Sequence, residues 1–185
     1  MARIAVVGGG PAGLSAALFL ATNDQDADDF DTDDTWMHKA PLFNYLGIES
    51  KDGSEFVETA RDQVDGFGAE RHQVAVESVE GDGDGFAVTT EDGDVHTADY
   101  VVLATGAKRD VAEDLGCAFT DEGVVDVDVT METSVPDVYA TGAMVRAEEW
   151  QAIISAGDGA AAALNILTKE KGEHFHDFDT PADAE

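Results

Sequence analysis

The sequence predicts an α/β fold in which a parallel sheet carries a three-stranded antiparallel β-meander. Three observations predict this class. An apolar strand, a glycine turn and a helix follow one another over residues 4–20, the hydrophobic period changes to two from Val74, and an alanine-rich helix follows from about Glu148 to Leu167. We expect one domain over residues 1–168, with 169–185 as a flexible tail.

The first element carries a glycine pattern that is typical of dinucleotide sites. The apolar run Ile4–Val7 suits a strand that is covered on both faces. Gly8, Gly10 and Gly13 follow in G-x-G-x-x-G spacing. The first glycine permits a tight turn, the second lets the backbone approach a pyrophosphate, and the third lets the helix pack closely on the strand. Pro11 suits the first helical turn. The positive end of this helix would face the phosphates, as expected of a Rossmann-like fold.

An acid is expected about 20 residues further on, where it would hold the adenosine ribose hydroxyls. Asp31 follows Gly13 by 18 residues, which makes Ala27–Asp31 a candidate second strand with Phe30 as its buried anchor. Periodicity alone would make the same stretch a loop.

The sequence offers no convincing metal site. Aspartates alternate over residues 24–28, but the sixth position, where a calcium loop needs glycine, is Asp29. His174 and His176 fall in the predicted tail, where they are expected to be incidental.

An aromatic-rich segment without helix or strand period follows, and it could either wall a planar ring or fill the core beneath a loop. Its members are Trp36, His38, Pro41, Phe43 and Tyr45. Asp52 or Ser54 can then cap a helix that ends at Gly66 and Gly68. The apolar stripe of that helix comprises Phe56, Val57, Ala60, Val64 and Phe67.

The second half of the chain reads mainly as strands. Period-two segments at 74–80, 86–90 and 95–99 predict the meander, with a hairpin turn at Asp92-Gly93. Further strands are expected at 100–107 and around 124–129. The last helix should contact the core through Ile153, Ile154 and Leu164.

The composition restricts partners and location. The chain has 40 acidic and 10 basic residues and a net charge of −30, which suits a protein of very salty cytoplasm because molar salt screens charge repulsion. Such a surface argues against nucleic acid and anionic membranes as partners. No membrane-length apolar run or secretion signal is present, so we expect a cytoplasmic protein. The one cysteine, Cys117, excludes a C-x-x-C pair within this sequence and is expected to be a core residue.

Three ordered motifs, VVGGGPAGLSAA, VVLATGA and TSVPDVYATGA, followed by the alanine-rich helix, resemble the FAD-binding domain of thioredoxin reductases, which are pyridine nucleotide-disulfide oxidoreductases. The resemblance implies FAD as cofactor, with Asp31 on the adenosine ribose and Asn44 beside the flavin. Trp150-Gln151-Ala152 is similar to the family's Arg-Gln-Ala at the start of the last helix, whose positive end would stabilise the reduced flavin. His38 could hydrogen-bond the flavin or a phosphate, or it could be a loop residue without a role in binding. The residues expected to bind the cofactor are Gly8, Gly10, Pro11, Ala12, Gly13, Asp31, Trp36, His38, Asn44, Val74, Ala104, Thr105, Gly106, Gly142, Ala143, Trp150, Gln151 and Ala152.

The sequence departs from this family at two places. Only residues 108–139 separate the two Ala-Thr-Gly motifs, where the family inserts a nicotinamide-binding domain with its C-x-x-C pair. Gly142-Ala143 stands where the family has Gly-Asp, whose carboxylate holds a ribityl hydroxyl. Loss of such a charge-assisted hydrogen bond costs roughly 1.5–3 kcal/mol, so FAD would bind more loosely.

Two functions remain open. The first is a single-domain FAD-dependent oxidoreductase that exchanges electrons with a redox partner protein or a diffusible donor. The alternative is a non-catalytic nucleotide-binding module or the flavin subunit of a larger assembly. A short NAD dehydrogenase is disfavoured because no Tyr-Lys pair is convincingly placed, and the catalytic residues stay unknown. An uncovered flavin face would favour a protein partner or self-association into a homo-oligomer.

Overall fold

A computed structural model describes residues 1–83 and 85–177. The strands are β1 (Arg3–Val7), β2 (Asp26–Phe30), β3 (Pro41–Leu42), β4 (Lys51–Asp52), β5 (Glu70–His72), β6 (Val76–Asp82), β7 (Gly85–Thr90), β8 (Val95–Ala98), β9 (Tyr100–Leu103) and β10 (Val138–Ala140). The helices are α1 (Pro11–Ala21), α2 (Gly53–Gly66), α3 (Asp110–Asp114) and α4 (Ala152–Lys171). Short 3-10 helices lie at Trp36–Lys39 and Gly142–Val145.

The predicted fold class is confirmed. The main sheet has the strand order β10-β9-β1-β2-β5, with every neighbouring pair parallel. The meander β6-β7-β8 is antiparallel and turns at Gly93, whose φ of +90° suits glycine. The second strand forms as predicted, one residue earlier, and Phe30 is its buried anchor.

Helices α1, α2 and α4 cover one face of the sheet, and the meander packs towards the other. The contact of α1 with α4 is close because small residues line it. A Cβ on Gly159 would lie 2.0 Å from the Ala12 carbonyl oxygen, so only glycine allows this separation. Ala16 and Ala163 are fully buried in the same core. This packing fixes the N-terminal ends of both helices relative to the sheet.

Several predicted details of the fold are wrong. Residues 124–129 form isolated bridges, Phe119 to Val125 and Val127 to Thr133, instead of a strand, because this segment curls back on itself. The strand predicted over 100–107 ends at Leu103, where the chain turns into the Ala-Thr-Gly segment.

The last helix begins at Ala152 instead of Glu148 and continues to Lys171. Its buried positions are chiefly Ala162, Ala163, Ile166 and Leu167. Of the predicted core contacts, Leu164 packs against the core, whereas Ile153 is 38% exposed. Phe67 follows the end of α2 and is 59% exposed, since the helical stripe stops before it.

The predicted tail begins within α4, and Phe175 packs against the core. Residues 178–185 lie outside the described residues. Within the described chain, every helix is too short or too polar to cross a membrane.

Candidate functional site

A groove with a volume of about 430 Å³ opens where β1, β2 and β9 end at the carboxyl edge of the sheet. Ligands of open parallel sheets bind at this edge. Most residues predicted to bind a cofactor line the groove: Gly8, Gly10, Pro11, Ala12, Asp31, Trp36, Val74, Ala104, Thr105, Gly106, Gly142, Ala143, Trp150 and Ala152.

The glycine turn after β1 is held by close backbone contacts. Gly8 has a φ of +118°, and a Cβ there would lie 2.3 Å from the Ala104 carbonyl oxygen. A Cβ on Gly13 would lie 1.7 Å from the Gly8 carbonyl oxygen, so Gly13 packs beneath the turn and is absent from the groove lining. Gly10 faces open space, where an added Cβ would meet only Thr35 Oγ1, at 3.4 Å, among the described residues. The backbone is therefore bare where a phosphate would approach.

Two helix N-termini point at this groove. Within the described chain, no side chain caps α1 at Gly10 or α4 at Gln151, so the first amide groups of both helices remain available to a ligand. Ala12 and Ala152 bring these ends to the groove wall. Free amides and the positive helix ends together fit the pyrophosphate and the electron-rich edge of a flavin ring.

Asp31 lies against Gly9, where an added Cβ would be 2.3 Å from the Asp31 carboxyl carbon. Its Oδ1 accepts the Asp33 amide at 2.9 Å, and its Oδ2 pairs with the Arg61 guanidinium. Each carboxylate oxygen can accept more than one hydrogen bond, so both ribose hydroxyls could still donate to it. Arg61 also bonds Asp33 at 2.6 Å, and together with His38 it lowers the pKa of Asp33.

Sequence reasoning missed Arg61 because it lies on α2, 30 residues from Asp31 and outside every motif. The groove-lining residues Gly9, Thr32, Thr35, Lys108 and Ser155 were missed too. Of these residues, Gly9 was the easiest to predict from the sequence, because it lies within the glycine turn.

Both tryptophans of the chain meet at the groove mouth. The ring centroids of Trp36 and Trp150 are 5.2 Å apart, and the two residues are 50% and 44% exposed. Trp150 Nε1 donates to the Arg146 carbonyl oxygen at 3.0 Å. Arg146 in turn pairs through two bonds with the buried carboxylate of Asp158 on α4, at 2.5 and 3.2 Å. The aromatic wall is thus attached to the last helix.

The 3-10 helix Gly142–Val145 is anchored by hydrogen bonds from Arg109. Arg109 donates to the carbonyl oxygens of Ala143 and Met144 at 3.1 and 3.0 Å. Gly142 has a φ of +66°, and a Cβ there would approach Ser155 Oγ to 3.3 Å. Ala143 lines the groove but brings no carboxylate, as the sequence indicates.

Three further predicted residues, His38, Asn44 and Gln151, lie off the groove wall. His38 is turned to Asp33 and Ser54, with hydrogen-bond distances of 2.8 and 2.9 Å. Asn44 Nδ2 donates to Gln151 Oε1 at 2.8 Å, which joins the aromatic-rich segment to the start of α4.

Other members of the aromatic-rich segment divide between core and solvent. Tyr45 packs on Phe56 with centroids 5.6 Å apart, whereas Phe43 is 70% exposed. Cys117 is buried, and burial raises the pKa of its thiol. It is a core residue, as expected.

Comparison with known proteins agrees with this geometry. The family model for pyridine nucleotide-disulphide oxidoreductases matches residues 70–159. Thioredoxin reductase tcpT of Claviceps purpurea is 36% identical over 113 residues, which cover 56% of this chain and 34% of that protein. The thioredoxin reductase of Helicobacter pylori is 32% identical over 111 residues, covering 57% and 36%.

The fold is similar to a solved thioredoxin reductase structure from Gloeobacter violaceus, with a TM-score of 0.85, 18% identity, and coverage of 97% of this chain and 98% of that one. Over residues 70–159 the chain is similar to pyridine nucleotide-disulphide oxidoreductases, and its fold is similar to that of solved thioredoxin reductases. The stretch matched to the curated thioredoxin reductases spans about a third of their length. The glycine turn, Asp31 and the two helix ends are the groups of this chain that would fit FAD.

Proposed function

We propose that this FAD-binding domain is an oxidoreductase that passes electrons between its flavin and a separate donor or acceptor. The observation that carries the proposal is the convergence of three motif turns and two uncapped helix ends on one groove. Bound FAD would supply one- and two-electron transfer chemistry. The residues 108–139 between the two Ala-Thr-Gly motifs fold back as α3 and irregular bridges of the same unit. The electron donor would therefore come from outside this segment.

The groove mouth suits exchange with an external partner. Trp36 and Trp150 are about half exposed beside it, and Ile153, near the start of α4, is 38% exposed. Exposed apolar side chains at the rim of a site favour docking of another molecule. We propose that a redox protein, a diffusible donor or a second copy of the chain covers this mouth.

A non-catalytic flavin module is the second candidate. It is favoured by Ala143, which lacks the carboxylate that the resembled family uses at this position, and by Cys117, the one cysteine of the sequence, which is buried. Such a module would hold FAD without turnover of its own.

The test uses the full chain purified in molar KCl. Because both tryptophans line the groove, FAD binding should quench tryptophan fluorescence and saturate with one site per chain. ADP and NAD serve as comparison ligands that lack the flavin. The absence of saturable FAD binding would contradict both candidates.

Turnover separates the two candidates. The loaded protein is mixed with NADPH or a reduced ferredoxin as donor and with a dye as acceptor, and free FAD at equal concentration is the control. Acceptor reduction well above that of free FAD supports the oxidoreductase, whereas an equal rate supports the module.

A further inference from the structure

A second cluster of chemically competent side chains lies outside the groove, on the meander side of the sheet. Asp28, His72 and His96 each offer one ligand atom, and these three atoms lie within 4.8 Å of one another. Asp28 comes from β2, His72 from β5 and His96 from β8, so the fold brings the three together from distant parts of the sequence. His72 Nε2 and Asp28 Oδ1 are already 3.0 Å apart.

We propose that Asp28, His72 and His96 form a binding site for a divalent transition-metal ion such as Zn²⁺. Two imidazole nitrogens and one carboxylate oxygen are a ligand set that suits zinc and neighbouring first-row metals, and it suits calcium and magnesium poorly because these prefer oxygen. Water would complete the coordination.

The geometry is close to what such an ion needs. Ligand atoms about 2.1 Å from one zinc ion are about 3.4 Å apart in a tetrahedron. The widest pair in the cluster must therefore close by roughly 1.4 Å at most, which small side-chain rotations can supply. All three residues are partly buried, with side-chain exposures of 23% for Asp28 and 21% for His72, so an ion can enter from solvent.

The site adjoins the cofactor groove through one ring. Phe30 stacks on His72 with centroids 4.8 Å apart and an interplanar angle of 16°, and it makes an edge-to-face contact with His96 with centroids 4.9 Å apart. The same Phe30 also lines the groove. A bound ion would clamp β2, β5 and β8 together behind this wall of the groove.

The first measurement is a calorimetric titration of the chelator-treated full chain with Zn²⁺ in molar KCl, where loose binding to surface carboxylates is screened. The expected result is one saturable ion per chain and a higher unfolding temperature with zinc than without it. Absence of a saturable site overturns the proposal.

Variants then assign the ligands. His96→Asn and His72→Asn should each weaken Zn²⁺ binding by more than about 100-fold, which exceeds the effect usual for groups outside the metal's own ligands. His38→Asn is the matched control, because His38 also pairs with a carboxylate at 2.8 Å but lies outside the cluster. A loss below about tenfold in either ligand variant, or an equal loss in the control, overturns the proposal.

A measurement on the unaltered protein covers the case in which a variant fails to fold. The chain has five histidines, and nitrogen NMR of their rings shows which become metal-bound. Zinc-dependent shifts of His72 and His96 support the site, and shifts confined to His174 and His176 overturn it.

Discussion

Asp29 is a carboxyl group that the fold buries without a hydrogen-bond partner among the described residues. It lies on β2, is 0% exposed, and neither carboxyl oxygen is bonded within the described chain. Burial, reinforced by the charge of Asp31, raises its pKa to about 7, although Arg71 and Arg61 oppose the change. The substitution Asp29→Asn keeps the shape of the protonated acid and cannot ionise. We therefore expect Asp29→Asn to stabilise the protein at neutral and alkaline pH.

The pKa of Asp29 fixes the sign and size of the effect. Between the ordinary carboxyl pKa of 3.8 and about 7, the folded protein keeps a proton that the unfolded chain releases. The contribution of Asp29 to the free energy of unfolding therefore falls as pH rises through this range and is level above it. At about 1.4 kcal/mol per pH unit, the loss reaches at most about 4 kcal/mol. Asp29→Asn should recover most of that loss above about pH 7 and little near pH 4.

Urea unfolding of both proteins in molar KCl, from about pH 5 to about pH 8, measures this difference. Asp65→Asn is the control of opposite sign, because the Asp65 side chain is 46% exposed and Arg71 lowers its pKa through a bidentate pair. It should destabilise by less than about 1 kcal/mol. If Asp29→Asn is less stable than the parent at pH 8, a partner stabilises the ionised Asp29 carboxylate in the folded protein, and the reasoning is refuted.

Three further expectations concern α4, the groove and salt. Gly159→Ala should destabilise the protein by about 3 kcal/mol or more in thermal unfolding, because the new Cβ would meet the Ala12 backbone. The control is Gly157→Ala on the same helix, whose Cβ would meet no described atom within 4 Å. It should stabilise the protein by about 0.5–1 kcal/mol. Ala143→Asp should tighten FAD binding about 10- to 100-fold in fluorescence titration, by about 1.5–3 kcal/mol, and an unchanged affinity would disprove a role for that position. FAD affinity should rise between about 0.1 M and 1 M KCl because salt screens the repulsion between the acidic chain and the anionic cofactor, and a fall would show that repulsion does not limit binding.

The strongest parts of the fold were predictable because each has a local cause. The glycine turn was predicted from the spacing of Gly8, Gly10 and Gly13, and the meander from period two and the Asp92-Gly93 turn. The irregular bridges of 119–133 could not be read from the sequence, since their valines resemble those of a strand. Long-range packing, not local preference, bends that segment.

In the groove, too, residues with a local sequence signal were predicted, and residues placed there by long-range packing were missed. Asp31 was assigned from its spacing after Gly13, and Ala152 from the family resemblance, and the structure brings both to one groove. Arg61 carries no such signal, because it reaches Asp31 from α2 and lies outside every motif. The metal cluster of Asp28, His72 and His96 is of the same kind: three strands bring together residues that no local pattern connects.

The charge of the chain explains why backbone forms so much of the groove. With a net charge of −30, the protein repels an anionic dinucleotide at long range. The groove wall adds two acids, Asp31 and Asp34. Its cation Lys108 has its Nζ 3.9 Å from the Asp34 carboxylate, which offsets its charge. Attraction must then come from groups whose charge is fixed and local, which the amides at the starts of α1 and α4 provide. Salt shortens the range of the repulsion to about 3 Å at 1 M and leaves hydrogen bonds from amides in contact with phosphate largely intact. In molar salt, a site built on backbone amides would therefore keep an anionic ligand that a cluster of surface lysines would lose.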